Sequence, residues 1–205
     1  MTPASLSTLL PRALYEGRRI GLFGGSFNPP HAGHRAVAEE ALKRLALDEV
    51  WWLAAARNPL KSPGETSDLD ERMEQTRAMA AHPRFRVLDL ERRTGAYYTA
   101  DLLAALAPAL ETGLFVWIMG ADSFATLHRW GRWREIMEAL PVAVFGRPGW
   151  GLRALNGPAA RAFRSARLPA SQAAILAEME PPAWVFLNMP LRAESSTRLR
   201  AARGQ

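Results

Sequence analysis

Short apolar runs alternate along this chain with segments in which apolar residues recur every three or four positions. The runs predict β-strands at residues 19–23, 50–54, 85–88, 114–119, 142–145 and 184–187. The periodic segments predict helices at residues 31–47, 69–81 and 99–110, around Trp130 and Trp133, in short pieces within 150–182, and from residue 195 onward. A strand that is apolar along its whole length is buried on both faces, as in a parallel sheet covered by helices. The sequence therefore predicts an α/β fold with a doubly wound parallel sheet.

The length and composition are those of an ordinary globular protein. The chain has 205 residues, of which 48% are hydrophobic and 22% are charged, so it is long enough to bury a proper core. No internal repeat or low-complexity linker divides it. We expect a single domain over residues 1–205, with residues 1–17 as a loose leader.

The positive charge comes mainly from arginine, since Lys43 and Lys61 are the only lysines among 26 basic residues. The arginines are scattered, which is weak evidence for nucleic acid and suits small polyanions equally well. A nucleic-acid-binding module stays an alternative because of the pI near 10.6 and the seven tryptophans. Tryptophans such as Trp51 and Trp52, however, lie inside apolar runs and not among basic residues. We therefore expect no nucleic-acid partner.

The sequence also limits the compartment. It contains no cysteine, which excludes disulfides and thiolate metal sites. Pro11, Arg12 and Glu16 interrupt any apolar segment near the N-terminus, so a secretory signal is not expected. The longest apolar run, residues 114–119, is too short to span a bilayer. These features predict a cytoplasmic protein with no membrane partner.

Loops with unusual composition follow four of the predicted strands. Their sequences are GGSFNPPHAGH after the first strand, RNPLKSPG after the second, GADS after residues 114–119 and GRPG after residues 142–145. In a parallel sheet the carboxyl ends of the strands meet at one edge, where ligands bind. The sequence therefore predicts a single ligand site at this edge.

The first of these loops has the features of an anion site. Gly24, Gly25 and Ser26 form a turn between a strand and a helix start, where free amide N–H groups and the positive helix end both face the turn. His31 and His34 follow three residues apart and can converge on one ligand oxygen. A cap with a core histidine, or a metal pair, are the alternatives, but no third metal ligand is obvious nearby. The position after the glycine turn favours a contact with phosphate.

The segment GGSFNPPHAGH resembles the [ST]-F-[DN]-P-x-H-x-G-H signature of the nucleotidylyltransferase superfamily. The second signature of that superfamily, S-S-T-x-x-R, is matched by Ser195-Ser196-Thr197 and Arg200. The resemblance implies a Rossmann-like domain that transfers an adenylyl group. It assigns His31 and His34 to the ATP phosphates, with His34 nearest the reacting centre. It also assigns Ser196, Thr197 and Arg200 to the β- and γ-phosphates, where the planar guanidinium suits two oxygens.

The region between the two motifs is similar to bacterial nicotinate-nucleotide adenylyltransferases. The resemblance assigns a set of residues to ATP: Gly24, Gly25, Ser26, Phe27, Lys61 in the Asn58-Pro59 loop, and Asp122 on the ribose. It assigns a second set to nicotinate mononucleotide: Thr99 in the Tyr97-Tyr98-Thr99 segment, Trp130 and the backbone of Gly131. The GRPG turn at residues 146–149 matches their R-P-G turn.

Several of these positions also have ordinary structural explanations. Trp130 and Trp133 are three residues apart and are compatible with a helix face packed in the core, whereas Asp122 and Thr99 are compatible with helix N-caps. The segment SSTRLR alone would read as a serine cap followed by solvated arginines. The sequence departs from the family pattern at Glu194, where relatives generally carry an apolar residue, and in ending five residues after Arg200.

The expected reaction is adenylyl transfer from ATP to nicotinate mononucleotide, giving deamido-NAD and pyrophosphate. Mg²⁺ is expected to enter with the nucleotide, because no dedicated carboxylate cage is visible. Nicotinamide mononucleotide and pantetheine phosphate are alternative acceptors. Arg129 and Arg132 beside Trp130 favour the acid over the amide. The sequence leaves a homo-oligomer open.

Overall fold

A computed structural model describes residues 10–55 and 68–189 of the chain. Seven parallel strands in this part form one sheet: β1 Arg19–Gly25, β2 Glu49–Ala54, β3 Phe85–Leu88, β4 Leu114–Gly120, β5 Val142–Phe145, β6 Arg167–Leu168 and β7 Trp184–Leu187. Eight α-helices lie in the same described ranges: α1 Ala32–Arg44, α2 Leu69–Met79, α3 Leu90–Thr94, α4 Thr99–Leu110, α5 Ala121–Thr126, α6 Trp133–Ala139, α7 Gly151–Leu155 and α8 Pro158–Ala162. Short 3₁₀ segments occupy Arg12–Leu14, Leu127–Arg129, Arg164–Ala166 and Ala170–Glu178.

The strand order places a ligand crevice at the centre of the sheet. The order is β3-β2-β1-β4-β5-β7-β6, so the chain runs outward from β1 to β3 and then returns to the other side of β1. The carboxyl ends of β1 and β4 therefore lie side by side at the point where the winding reverses, which is where doubly wound sheets bind ligands. This topology confirms the predicted α/β fold.

Helices cover both faces of the sheet because successive strand residues point to opposite sides. Leu22 packs with one buried cluster and Phe23 with the other, and the same division separates Trp51 from Trp52. The two clusters lie on opposite faces, which explains why the strands are apolar without interruption. No helix among the described residues has the length and apolar composition needed to cross a membrane.

Many predicted boundaries are confirmed. The strands at 85–88, 142–145 and 184–187 and the helix at 99–110 have the predicted limits, and Asp68 caps α2 by accepting from the amides of Asp70 and Glu71. The first helix is shorter than predicted. It ends at Arg44 because Ala46 adopts φ +50° and the Leu47 amide bonds to the Leu42 carbonyl, which closes a Schellman turn.

The helix predicted around Trp130 and Trp133 begins later in the chain than predicted. Trp130 ends a 3₁₀ turn in extended conformation and Arg132 has φ +52°, so regular helix begins only at Trp133. Helix α3 and strand β6 were not predicted, since five and two residues are too short for a periodic pattern. The predicted last helix lies outside the described residues.

Candidate active site

The two histidines form the first turn of α1. His31 is the N-cap residue and its Nδ1 atom accepts from the Gly33 amide at 3.1 Å, while the Nδ1 atom of His34 accepts from the His31 amide at 3.2 Å. The two ring centroids lie 3.8 Å apart. The rings therefore converge as predicted, and the capping role considered as an alternative for His31 is part of the same arrangement.

These hydrogen bonds fix the tautomer of each imidazole. An Nδ1 atom that accepts a hydrogen bond carries no proton, so a neutral ring holds its proton on Nε2. Each histidine thus offers one N–H donor from Nε2. Donors of this kind suit the oxygen atoms of a phosphate group.

Both rings are neutral at pH 7. The pKa of His31 is lowered to about 4, first by burial and next by the positive charge of Arg147, while the Asp122 carboxylate partly opposes these two effects. Burial also lowers the pKa of His34 well below its ordinary value, followed in size by the effects of His31 and Arg147. The site therefore has two neutral donors beside one permanent cation.

Arg147 and Asp122 form a loose pair at the exits of β5 and β4. The Arg147 Nε atom lies 3.9 Å from the Asp122 Oδ1 atom, and in the described part of the chain neither buried atom makes a hydrogen bond. Arg147 also reaches α1, since its Nη1 atom would be 3.2 Å from a Cβ on Gly33. A buried guanidinium N–H without an acceptor favours the arrival of an anionic or hydroxyl-bearing ligand.

Asp122 does not serve as a helix cap. Helix α5 begins after Gly120 and has no side-chain cap, so the structural alternative for Asp122 is wrong. The alternative for Thr99 is wrong as well, because the N-cap of α4 is Tyr98, whose amide donates to Asp101 at 2.9 Å. Both side chains are thus left for other contacts.

A cavity of about 460 Å³ opens beside the glycine turn. It is lined by residues from the exits of β1 and β2, from β4, from helices α3 and α5, and from the segments at the start of α4 and before α6: Gly24, Gly25, Ser26, Ala55, Glu91, Tyr97, Tyr98, Thr99, Trp117, Ser123, Thr126, Arg129, Trp130 and Gly131. The volume is in the range of small-molecule sites. The lining thus combines the glycine turn with the aromatic residues Tyr97, Tyr98, Trp117 and Trp130.

Of the ten predicted site residues that the structure describes, a majority lines this cavity, whereas Phe27, His31, His34 and Asp122 do not. The cavity lining includes six of them: Gly24, Gly25, Ser26, Thr99, Trp130 and Gly131. Trp130 lines the cavity and also packs against the core, so its two predicted roles coexist. Lys61, Ser196, Thr197 and Arg200 lie outside the described residues.

Phe27 differs from the other predicted residues because its side chain is only 1% exposed. Its ring packs against Trp52 and His34, with centroid distances of 5.1 Å to each. The side chain therefore packs edge-to-face with the His34 ring and helps to hold it in place. Its backbone adopts φ +45°, which is uncommon for a bulky residue and is held by this packing.

Two cavity or site residues were not singled out from the sequence. Tyr98 covers Gly131 so closely that a Cβ there would lie 2.8 Å from the tyrosine ring, and its place in the Tyr97-Tyr98-Thr99 segment was the available signal in the sequence. Arg147 belonged to the GRPG turn, and the position of that turn at a strand exit was the signal for its role.

The doubly wound sheet and the anion-binding turn at its switch point define an α/β protein of the kind that binds nucleotides. The chain belongs to the cytidylyltransferase-like family, whose model matches residues 22–202. This match agrees with the motifs at both ends of the chain.

Two relatives that share more than half of their aligned residues with this chain have the same name. A probable nicotinate-nucleotide adenylyltransferase of Ruegeria pomeroyi is 52% identical over 188 residues, which are 92% of this chain and 88% of that protein. A second, from Methylorubrum extorquens, is 54% identical over 185 residues, or 89% of this chain and 98% of that protein. The predicted family resemblance is confirmed.

Solved structures bear on the fold. The nicotinic acid mononucleotide adenylyltransferase of Plasmodium falciparum, solved in complex with NaAD, matches with a TM-score of 0.67 at 16% identity. The match covers 90% of this chain and 83% of that one. It confirms a Rossmann-like arrangement of the sheet.

Proposed function

We propose that this chain transfers the adenylyl group of ATP to nicotinate mononucleotide, giving deamido-NAD and pyrophosphate. The observation that carries the proposal is the cavity lined by the glycine turn and by Thr99, Trp130 and Gly131, with the two neutral histidines at the start of the helix that follows the turn. The names of relatives at 52% and 54% identity support the same reaction.

The reaction needs no protein nucleophile. A phosphate oxygen of the mononucleotide attacks the α-phosphorus of ATP, the bond from that phosphorus to the bridging oxygen of the β-phosphate breaks, and pyrophosphate leaves with the electron pair. Catalysis then consists of holding the two phosphates in line and stabilising the charge that moves onto the leaving group. The site offers N–H donors and guanidinium groups for both tasks.

We assign the histidine Nε2–H donors to ATP phosphate oxygens, with His34 nearest the reacting centre. Neutral donors fit this task because their protons do not have to be gained or lost during the reaction, while Arg147 supplies the fixed positive charge. Gly24, Gly25, Ser26 and the backbone of Phe27 complete the turn around ATP. Asp122 is assigned to its ribose.

The rest of the ATP site is proposed from the family motifs. Ser196, Thr197 and Arg200 are assigned to the β- and γ-phosphates, and Lys61 to the approach of the phosphates. Mg²⁺ is proposed to arrive as part of the ATP complex, where it would neutralise part of the phosphate charge. Among residues 10–55 and 68–189 no group of three or more His, Asp or Glu side chains is placed to hold a metal ion of its own.

The acceptor side suits a pyridine carboxylate. The Trp130 ring provides a stacking surface for the pyridine, and the Thr99 hydroxyl and the Gly131 N–H provide donors for the carboxylate. Arg129 also lines the cavity, and its positive charge favours the acid over the amide. We further propose a single domain over residues 1–205 and a cytoplasmic location.

A pyrophosphate-release assay with ATP–Mg²⁺ tests the proposal. Nicotinate mononucleotide, its amide analogue and phosphopantetheine are compared as acceptors at equal concentration. We expect the highest kcat/KM with nicotinate mononucleotide. Turnover only with phosphopantetheine, or with none of the three, would contradict the assignment.

A further inference from the structure

A buried arginine that the reaction scheme does not use lies under the cavity wall. Arg72 is on α2 and only 1% of its surface is exposed. Its Nη1 atom donates to the Ser26 carbonyl at 2.7 Å and to the Ala55 carbonyl at 2.8 Å. Both of these acceptors belong to residues that line the cavity.

The two carbonyls need a donor because they lie past the ends of their strands. Strand β1 ends at Gly25 and β2 ends at Ala54, and the Ala55 amide donates to the Gly25 carbonyl at 2.9 Å. The carbonyls of Ser26 and Ala55 follow the last paired residues of β1 and β2, and both accept from Arg72. A buried carbonyl without a donor is costly, and one guanidinium nitrogen satisfies both.

A third lining residue, Glu91, acts on the same guanidinium. Burial lowers the pKa of Arg72, and the charges of Glu91 and Asp68 oppose this effect. Arginine stays protonated at neutral pH even when its pKa is lowered. Ser26 and Ala55 in the cavity wall are thus hydrogen-bonded to one permanent cation, whose charge the Glu91 carboxylate favours.

The bond to Ser26 also sets the direction of a neighbouring amide. A peptide unit is planar, so fixing the Ser26 carbonyl fixes the Phe27 N–H, which points the opposite way. Phe27 has φ +45°, a conformation that a bulky residue keeps only when its surroundings hold it. Arg72 on one side and the packing of the Phe27 ring on the other provide that hold.

We propose that Arg72 is a positioning residue that holds the nucleotide-binding turn at residues 24–27 and the exit of β2 in the geometry required for adenylyl transfer. The proposal rests on the proposed function for its catalytic consequence. Its structural part, the fixing of the turn, is independent of the substrate.

The test compares Arg72→Met, Arg72→Lys and the control Met73→Ala. Met73 is the next residue of α2, is equally buried and packs in the core without lining the cavity, so its truncation lowers stability alone. Three quantities are measured on each full-length variant: the melting temperature, kcat and KM with ATP–Mg²⁺ and nicotinate mononucleotide, and amide hydrogen exchange over residues 20–28.

We expect Arg72→Met to lower kcat by about 10²-fold, because a displaced turn misaligns the reacting phosphates. Exchange over residues 20–28 should be faster than in Met73→Ala. Arg72→Lys should recover part of kcat, since an ammonium group retains the charge and N–H donors. Met73→Ala should lower the melting temperature while kcat stays within about twofold of the wild type.

The proposal is overturned if Arg72→Met matches Met73→Ala in kcat and in the exchange of the turn. If Arg72→Met does not fold, Arg72→Lys decides, and wild-type kcat together with wild-type exchange would overturn it. A wild-type protein that does not turn over nicotinate mononucleotide refutes the proposed function instead. In that case the exchange data alone decide whether Arg72 fixes the turn.

Discussion

His31 and His34 stack with their ring centroids 3.8 Å apart, and each ring uses its Nδ1 atom to accept from a backbone amide of the same helix turn. The same two rings therefore stabilise the start of helix α1 and present hydrogen-bond donors. The Nδ1 atoms cap α1, which leaves both Nε2–H groups as donors. Because the helix cap fixes the tautomer, the two donors are present before any ligand arrives, and no reorganisation is needed on binding.

Replacing His34 with alanine removes one of these donors. We expect kcat to fall by about 10²- to 10³-fold, because a contact made to moving phosphate charge is lost. The far-ultraviolet circular dichroism spectrum should remain that of the wild type. Steady-state kinetics with ATP–Mg²⁺ and nicotinate mononucleotide measure the effect.

His82 provides the matched control. It lies before β3, at the amino edge of the sheet and away from the cavity. His82→Ala should retain wild-type kcat. Wild-type turnover in His34→Ala would show that the ring is not a catalytic group.

The neutral state of His31 makes stability depend on pH. Its pKa is about 4 in the folded protein and near 6.5 when unfolded, so between these values the unfolded chain binds more protons. The contribution is fully present above pH 6.5 and is lost as the pH falls toward 4. The pKa of Glu49 is lowered to about 2, chiefly by a hydrogen bond from Arg86. This carboxylate therefore changes the pH dependence of stability only below about pH 4.5.

Thermal unfolding measured from pH 7.5 to 4.5 tests this dependence. The melting temperature of the wild type should decrease below pH 6.5. In His31→Asn the decrease should be smaller, because an asparagine side chain can still accept from the Gly33 amide but does not titrate. Equal slopes for the two proteins would contradict the assigned pKa of His31.

Arg147 should influence the titration of His31. Its charge is the second largest cause of the lowered pKa of His31, after burial. In Arg147→Met we therefore expect the pKa of His31 to rise from about 4, while remaining below 6.5 because the burial persists. Nitrogen-detected NMR of the imidazole groups measures the change.

Arg153→Met is the control for this comparison. Arg153 lies over the Trp150 ring on α7 and does not affect the pKa of His31. Its replacement should leave the titration unchanged. An unchanged titration in Arg147→Met as well would mean that the guanidinium does not act on the histidine.

The sequence predicted the fold and brought together several candidate site residues because both depend on short-range patterns. Continuous apolar runs predicted the limits of β3, β5 and β7, and a glycine turn before a helix start indicated an anion site, which stays a prediction. Residues as distant as Gly24 and Trp130 meet in one cavity because parallel strands share a carboxyl edge.

The roles of two arginines depended on contacts between distant elements. Arg72 sits in a helix where periodicity alone suggests a solvated charge, and its burial follows from two carbonyls that approach each other only in the folded sheet. Arg147 acts on His31 through space from a different strand exit. Such contacts leave no periodic signal in the sequence.

The approach of Trp117 to Gly24 gives the last prediction. A Cβ on Gly24 would lie 2.5 Å from the Cζ2 atom of Trp117 and 2.6 Å from its Cη2 atom. The indole is only 2% exposed and belongs to a core cluster, so we expect the turn to move and not the ring. Gly24→Ala should lower stability by about 1–3 kcal/mol and kcat/KM by about 10²-fold.

Two further variants show whether this contact is the cause. Gly151→Ala is the control, because its Cβ would meet only Phe186 at 4.0 Å, an ordinary contact at a helix start. In a Trp117→Phe background, which removes the fused ring atoms that collide, Gly24→Ala should cost less in both melting temperature and kcat/KM. A double-mutant cycle measures this coupling, and strictly additive effects would show that the glycine is required for another reason.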